Sequence, residues 1–199
     1  MAKQREKLAL SCTGSDCANS LHCYRPTRKM KKDGEQGACR DCKDEVVDWS
    51  RIRRLDINDL SFVLGALQTE FIRAKFTAME PNQWAWNYAR RRGRKKLLEG
   101  IPEFLRKHVG RPKDAFDGRR VPWPDKTPEK MNPYYYAQHA TGTCCRSCIE
   151  TWYGISPENP LSDRAISFFA ALLARYILEH FPGLPDEGQS VPGIRRRSL

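Results

Sequence analysis

Eight cysteines are the residues in this 199-residue chain best placed to do chemistry, because they are clustered rather than scattered. Cys12, Cys17, Cys23, Cys39 and Cys42 fall near the start and Cys144, Cys145 and Cys148 lie together much later, with no cysteine between the groups. Structural cysteines would be spread along apolar faces, whereas close pairs have the spacing of metal ligands. Each pair can turn two thiolates inward from a tight knuckle, and two knuckles complete a tetrahedron around zinc. Cys12-x4-Cys17 followed by Cys39-x2-Cys42 therefore predicts a zinc ribbon-like module. The basic stretch between them would fold as a hairpin about an Asp33-Gly34 turn. Cys23, with His22 beside it, could replace Cys12 or Cys17 as a ligand. So little apolar material lies here that the metal would supply the folding free energy.

His139-x5-Cys145-x2-Cys148 is the denser constellation. A Cys pair at the start of a helix can face one ion with both thiolates, and the helix N-terminus favours thiolate over thiol. His139, on a preceding strand or loop, would be the third ligand, and Cys144-x3-Cys148 is an alternative pairing. The fourth position is open. Water there would make the site catalytic, whereas Cys23, His22, His108 or Cys144 would close it. Two zinc ions are expected, with separate sites or one shared site both compatible with the spacing.

The string from Tyr136 through His139, Ala140, Thr141, Gly142, Thr143, Cys144, Cys145, Arg146 and Cys148 to Trp152, Tyr153, Gly154 and Ile155 resembles the signature of an uncharacterised bacterial domain family. Its members read approximately AQHATATCCRxCLxxWHGIPxGRxLT. The resemblance extends upstream through Arg73 and Phe76 and through Asp117, Gly118 and Arg119, and downstream through Leu161 and Ser162, covering roughly residues 70–180. Tyr153 stands where the family has His, and the family's DGxQTP stretch is reduced to Asp117-Gly118-Arg119-Arg120-Val121-Pro122. The resemblance implies a metal site and no particular reaction.

One His and two Cys around zinc is also the ligand set of the nucleoside and nucleobase deaminases. Those enzymes place a Glu two residues after the His, where this chain has Thr141, and a Pro before the Cys pair, where it has Cys144. A zinc-dependent hydrolase of nuclease type, acting on nucleic acid or nucleotide, needs only an open coordination position and a base. Asp117, Glu150 or His108 could serve as that base. A dithiol redox site lacks its usual βαβ context. Whether the protein is an enzyme is left open.

The formal charge of +11 favours polyanions, and nucleic acid is the expected partner. Trp84, Trp86 and Tyr88 run directly into Arg90, Arg91, Arg92, Arg94, Lys95 and Lys96. Cations for phosphates beside rings for unpaired bases suit single-stranded or irregular nucleic acid. Arg28 and Lys29, on the expected hairpin, would add to this surface. Protein partners are possible through the aromatic residues.

These residues need elements to position them. Leu60, Val63, Leu64, Leu67, Phe71 and Ala74 follow a helical period, Pro81-Asn82 breaks it, and Asn82 can cap the next helix. Gly93 and Gly100 mark kinks or breaks. Residues 110–133 read as a long loop, and Tyr134-Tyr135-Tyr136 as a short strand. A short helix follows Cys145, and Ser162 caps a last amphipathic helix stopped by Pro182-Gly183. The expected class is mainly α with small β elements (α+β). The expected parts are a Cys-rich zinc ribbon-like module over residues 1–52, a helical domain with the second metal site over 53–184, and a disordered basic tail over 185–199. No apolar run approaches the roughly 20 residues that span a bilayer. The first twelve residues lack the apolar region of a signal peptide, so a cytoplasmic location is expected.

Overall fold

The computed structural model describes residues 10–194. Nine α-helices are found among the described residues: α1 (Arg28–Asp33), α2 (Trp49–Arg53), α3 (Leu60–Leu67), α4 (Phe71–Thr77), α5 (Gln83–Glu99), α6 (Ile101–His108), α7 (Pro133–Ala140), α8 (Arg146–Tyr153) and α9 (Asp163–His180). No helix among them is long and apolar enough to cross a membrane.

α9 organises the packing. Ser162 accepts from the amide of Ala165 and starts the helix, and Ile166, Phe169, Leu172, Leu173, Tyr176 and Ile177 form its buried face. α7 packs between α4 and α9, α6 lies along α9, and α2 lies on α8. Tyr176 and His180 hydrogen-bond the last carbonyls of α4, at Phe76 and Thr77. The apolar period expected to run through residues 60–74 is broken between α3 and α4, where Glu70 is extended. Asn82 caps α5 through the amide of Ala85. α5 kinks at Gly93 (φ 74°, ψ 160°), and the freed amides of Arg94 and Lys95 bond the carbonyls of Pro185 and Asp186. A Cβ at Gly93 would stand 2.4 Å from the backbone of Glu187, so only glycine permits this approach. Residues 195–199, the end of the expected disordered tail, lie outside the described residues.

The expected β elements are absent from the described residues, which are about half helical and contain only two isolated bridges, Asp16 with Leu21 and His22 with Glu70. The α+β assignment is therefore corrected to all-α, and local capping explains both misreadings. Asn132 accepts from the amide of Tyr135 with Pro133 at the first helical position, so the three tyrosines begin α7 rather than form a strand. Thr27 caps α1 through the amide of Met30, and Gly34 closes it in the left-handed conformation. The Asp33-Gly34 pair thus ends a helix where a hairpin turn was expected.

The Cys-rich stretch shares the core of the helices. Tyr24 is fully buried, its ring edge-on to Trp49 and Trp152 at 5.2 and 5.6 Å, and its hydroxyl meets that of Thr69. The backbone of His22 bonds Thr69 and Phe71, laying this segment along the α3–α4 junction.

Candidate metal centres

Cys17, His22, Cys39 and Cys42 converge, their ligand atoms within 4.8 Å of one another. His22 Nδ1 lies 3.2 Å from Cys42 Sγ, and Cys17 Sγ lies 3.8 Å from Cys39 Sγ. The His22 backbone, pinned to the α3–α4 junction, delivers the imidazole from the helical side. The turn from Cys39 to Cys42 delivers two thiols from the other side, and it is closed by the amide of Lys43, which donates to the Cys39 carbonyl at 3.0 Å. Burial raises the Cys39 thiol, but backbone amides of Cys23, Cys42 and Asp41 outweigh it and bring it down to about 6. A thiolate so stabilised is ready to ligate. This set could hold a metal ion. Cys23 stays outside it: its thiol is buried and donates to the Cys12 carbonyl at 3.6 Å, and burial pushes it up to about 11.

Cys144, Cys145 and Cys148 form the second set, again within 4.8 Å, at the N-terminus of α8. Asp117 accepts from the amide of Arg146, fixing the helix start, and Gly118 (φ 75°) approaches so closely that a Cβ there would stand 3.2 Å from that of Cys145. Cys12, from the far end of the chain, lines the same cavities as Cys145 and Cys148. Hydrogen bonds from Cys12, Cys144 and Cys145 hold Cys148 well below the usual thiol range, while those three are raised by sharing their protons with it and by burial. Cys144, Cys145 and Cys148 thus act as one unit, suited to a positive ion.

Two buried side chains that the cysteine spacing could not reveal support this cluster. Arg73 donates to Cys148 Sγ at 3.1 Å, to Cys144 Sγ at 3.7 Å and to the His139 carbonyl at 2.7 Å. It also pairs with buried Glu70 at 2.9 Å, and Glu70 accepts from the Trp152 indole at 2.7 Å. Arg146, equally buried, gathers the carbonyls of Val109, Arg111 and Ser156. A signal existed in Glu70 and Arg73, one helical turn apart at the head of an apolar helix, but burial of the pair is invisible in sequence.

His139 stands apart from the thiols. Its Nε2 donates to the Pro122 carbonyl at 3.0 Å, and its ring stacks on Phe76 at 4.3 Å and lies against Trp123 at 4.7 Å. Of the expected His139–Cys145–Cys148 triad, the two cysteines converge with Cys144, and His139 is not among them. Of the residues considered as a catalytic base, Asp117 caps α8, Glu150 pairs with Lys31 at 2.9 Å, and His108 stacks on Phe104 at the end of α6.

The basic residues are exposed, Arg28 and Lys29 on α1 and Arg90, Arg91, Arg92, Arg94, Lys95 and Lys96 on α5. The rings beside them are committed inward. Trp86 packs on Phe181 at 5.0 Å and Tyr88 on Tyr134 at 6.0 Å.

No solved structure matches the chain. A family model matches residues 61–178, more than half of the sequence. That span holds Glu70, Arg73 and the second cysteine cluster, and excludes Cys12 and all four donors of the first centre. The chain belongs to the family described as Domain of unknown function (DUF4186).

Proposed function

We propose that the protein is a zinc-binding protein in which two structural ions fasten the Cys-rich segment to a helical domain that contacts nucleic acid. The observation that carries the zinc reading is that two sets of metal-ligating donors converge within the chain itself. Cys17, His22, Cys39 and Cys42 make a set of four; Cys144, Cys145 and Cys148 make a set of three, which Cys12, lining the same cavities, would complete. Four nitrogen and sulfur donors without an open position are the pattern of structural zinc, which contributes folding free energy rather than reactivity. The buried Arg73 guanidinium offsets part of the charge of four thiolates on one divalent ion.

Nucleic acid enters through charge. The exposed cations of α5 and α1 can meet phosphates, and the inward packing of Trp86 and Tyr88 takes base stacking by those rings out of the reading. Elemental mass spectrometry on protein purified without chelator tests the first half, with about two zinc ions per chain expected and none refuting it. Anisotropy with a fluorescent single-stranded oligonucleotide across a salt series tests the second. Replacing Arg90, Arg91, Arg92, Arg94, Lys95 and Lys96 by Gln should flatten the salt dependence and weaken binding at low salt. Unchanged affinity would remove the nucleic-acid reading and leave the zinc reading standing.

A further inference from the structure

The second thiol cluster forms part of the wall of a cavity of about 620 Å³, of the size that takes small molecules. Its wall has two chemical features that the protein's own groups leave unanswered. The first is a set of cations, Arg25, Lys113, Arg119 and Lys126. Among the described residues none of the four pairs with a carboxylate, and the Lys113 ammonium only donates to the Ser147 hydroxyl. The two aspartates of the wall are already engaged, Asp114 with Arg120 and Asp117 with the amide of Arg146. The second feature is His139. With Nε2 donating to Pro122, the neutral ring carries a lone pair on Nδ1, and that buried nitrogen has no partner. A buried acceptor left unmatched costs stability that a donor from a ligand would return. The half-buried Trp123 adds an aromatic surface to the same wall.

The geometry points to a binding site for a small phosphate monoester, its phosphate held by Lys113, Lys126, Arg25 and Arg119 and its organic part donating an N–H or O–H to His139 Nδ1. Lysine and arginine together recognise phosphate oxygens by charge-assisted hydrogen bonds. An organic phosphate can offer His139 Nδ1 an N–H or O–H while its phosphate stays on the cations, whereas inorganic phosphate has only its own P–OH to offer. The site lies apart from the basic run of α5, so it neither requires nor duplicates nucleic-acid contact.

The test is calorimetric titration of zinc-loaded full-length protein with the four common ribonucleoside 5′-monophosphates as probes and inorganic phosphate as control. Zinc content is measured on the same samples. At least one nucleotide should bind with a Kd below about 1 mM and about tenfold or more tighter than inorganic phosphate. Lys113→Glu with Lys126→Glu, both on exposed side chains, should weaken it by about tenfold or more at unchanged zinc content. The His139 Nδ1 nitrogen resonance should shift on binding, because its lone pair becomes a hydrogen-bond acceptor. The Gln substitutions in α5 should leave this affinity alone, which separates the site from the nucleic-acid surface. No binding by any nucleotide, inorganic phosphate binding as tightly as all of them, or binding that survives the double charge reversal would each overturn the proposal.

Discussion

Arg73→Met removes one charge from a buried pair and leaves the other in place. The side chains of Arg73 and Glu70 are 2% and 3% exposed, so the abandoned carboxylate keeps only the Trp152 indole as donor. Breaking a buried pair from one side costs about 3–5 kcal/mol. For a chain of this size that corresponds to a fall of roughly 6–20 °C in Tm. Removing both charges with Glu70→Leu and Arg73→Met abolishes the unpaired carboxylate. The double variant should recover about 2 kcal/mol of that loss and retain about 1–3 kcal/mol for the donors withdrawn from the His139 carbonyl and the Cys148 thiolate and for the Trp152 indole left without its acceptor. Guanidinium unfolding of the three proteins at fixed pH and saturating zinc measures both quantities. Arg73 also supports the second centre alone, so zinc affinity there should drop about 10–100-fold in Arg73→Met, read by competition with a chromophoric chelator, with the first centre unaffected. A single variant within about 1 kcal/mol of the wild type, or a double variant as unstable as the single, would refute the coupling.

Three further outcomes are expected. Burial depresses His139 from 6.5 to about 4, so its contribution is intact above pH 6.5 and is lost as pH falls through that window, by about 3 kcal/mol in all; urea midpoints against pH should show a flatter acid limb in His139→Gln. Gly118→Val places a Cβ against Cys145 at a φ of 75°, so one zinc per chain should be lost, with the His22 ring resonances still reporting an occupied first centre. Gly93→Ala should destabilise by more than about 1 kcal/mol and speed hydrogen exchange at the amides of Arg94 and Lys95, which the kink turns toward Pro185 and Asp186.

The gathering of cysteines into sets of metal donors was legible in the sequence, because close cysteine pairs have few other uses where thiols stay reduced. The partition of the ligands was not. Spacing ranks Cys12 with Cys17, yet the chain between them turns enough to send the two thiols to different clusters. His22 is chosen over Cys23 because the two adjacent side chains leave an extended backbone on opposite sides, and the bridge to Glu70 decides which side faces Cys42. The last helix, α9, with its strong apolar period, could be read directly, as could the caps at Asn82 and Ser162. The two misread elements, α1 and α7, are short and polar or aromatic, and only their caps at Thr27 and Asn132 announce them. Trp86 and Tyr88 look like stacking platforms in sequence, but sequence adjacency to arginines says nothing about which face of α5 meets Phe181 and Tyr134.

The two centres differ in how much chain they enclose. Cys17 to Cys42 spans about 25 residues, whereas the proposed completion of the second set by Cys12 encloses about 130 residues to Cys144. Closing the longer loop in a disordered chain costs about 1.5 kcal/mol more, and the difference in timing is larger still. During synthesis the donors of the first set are all made by residue 42, and His22 is set in place once α3 and α4 supply Thr69 and Phe71. The second must wait until α7 and α8 have been made and have docked, so that both ends of the chain are brought together. If both sets hold ions as proposed, loading of the second is a mark of completed folding, and a chain stopped before Cys144 could carry the first ion alone.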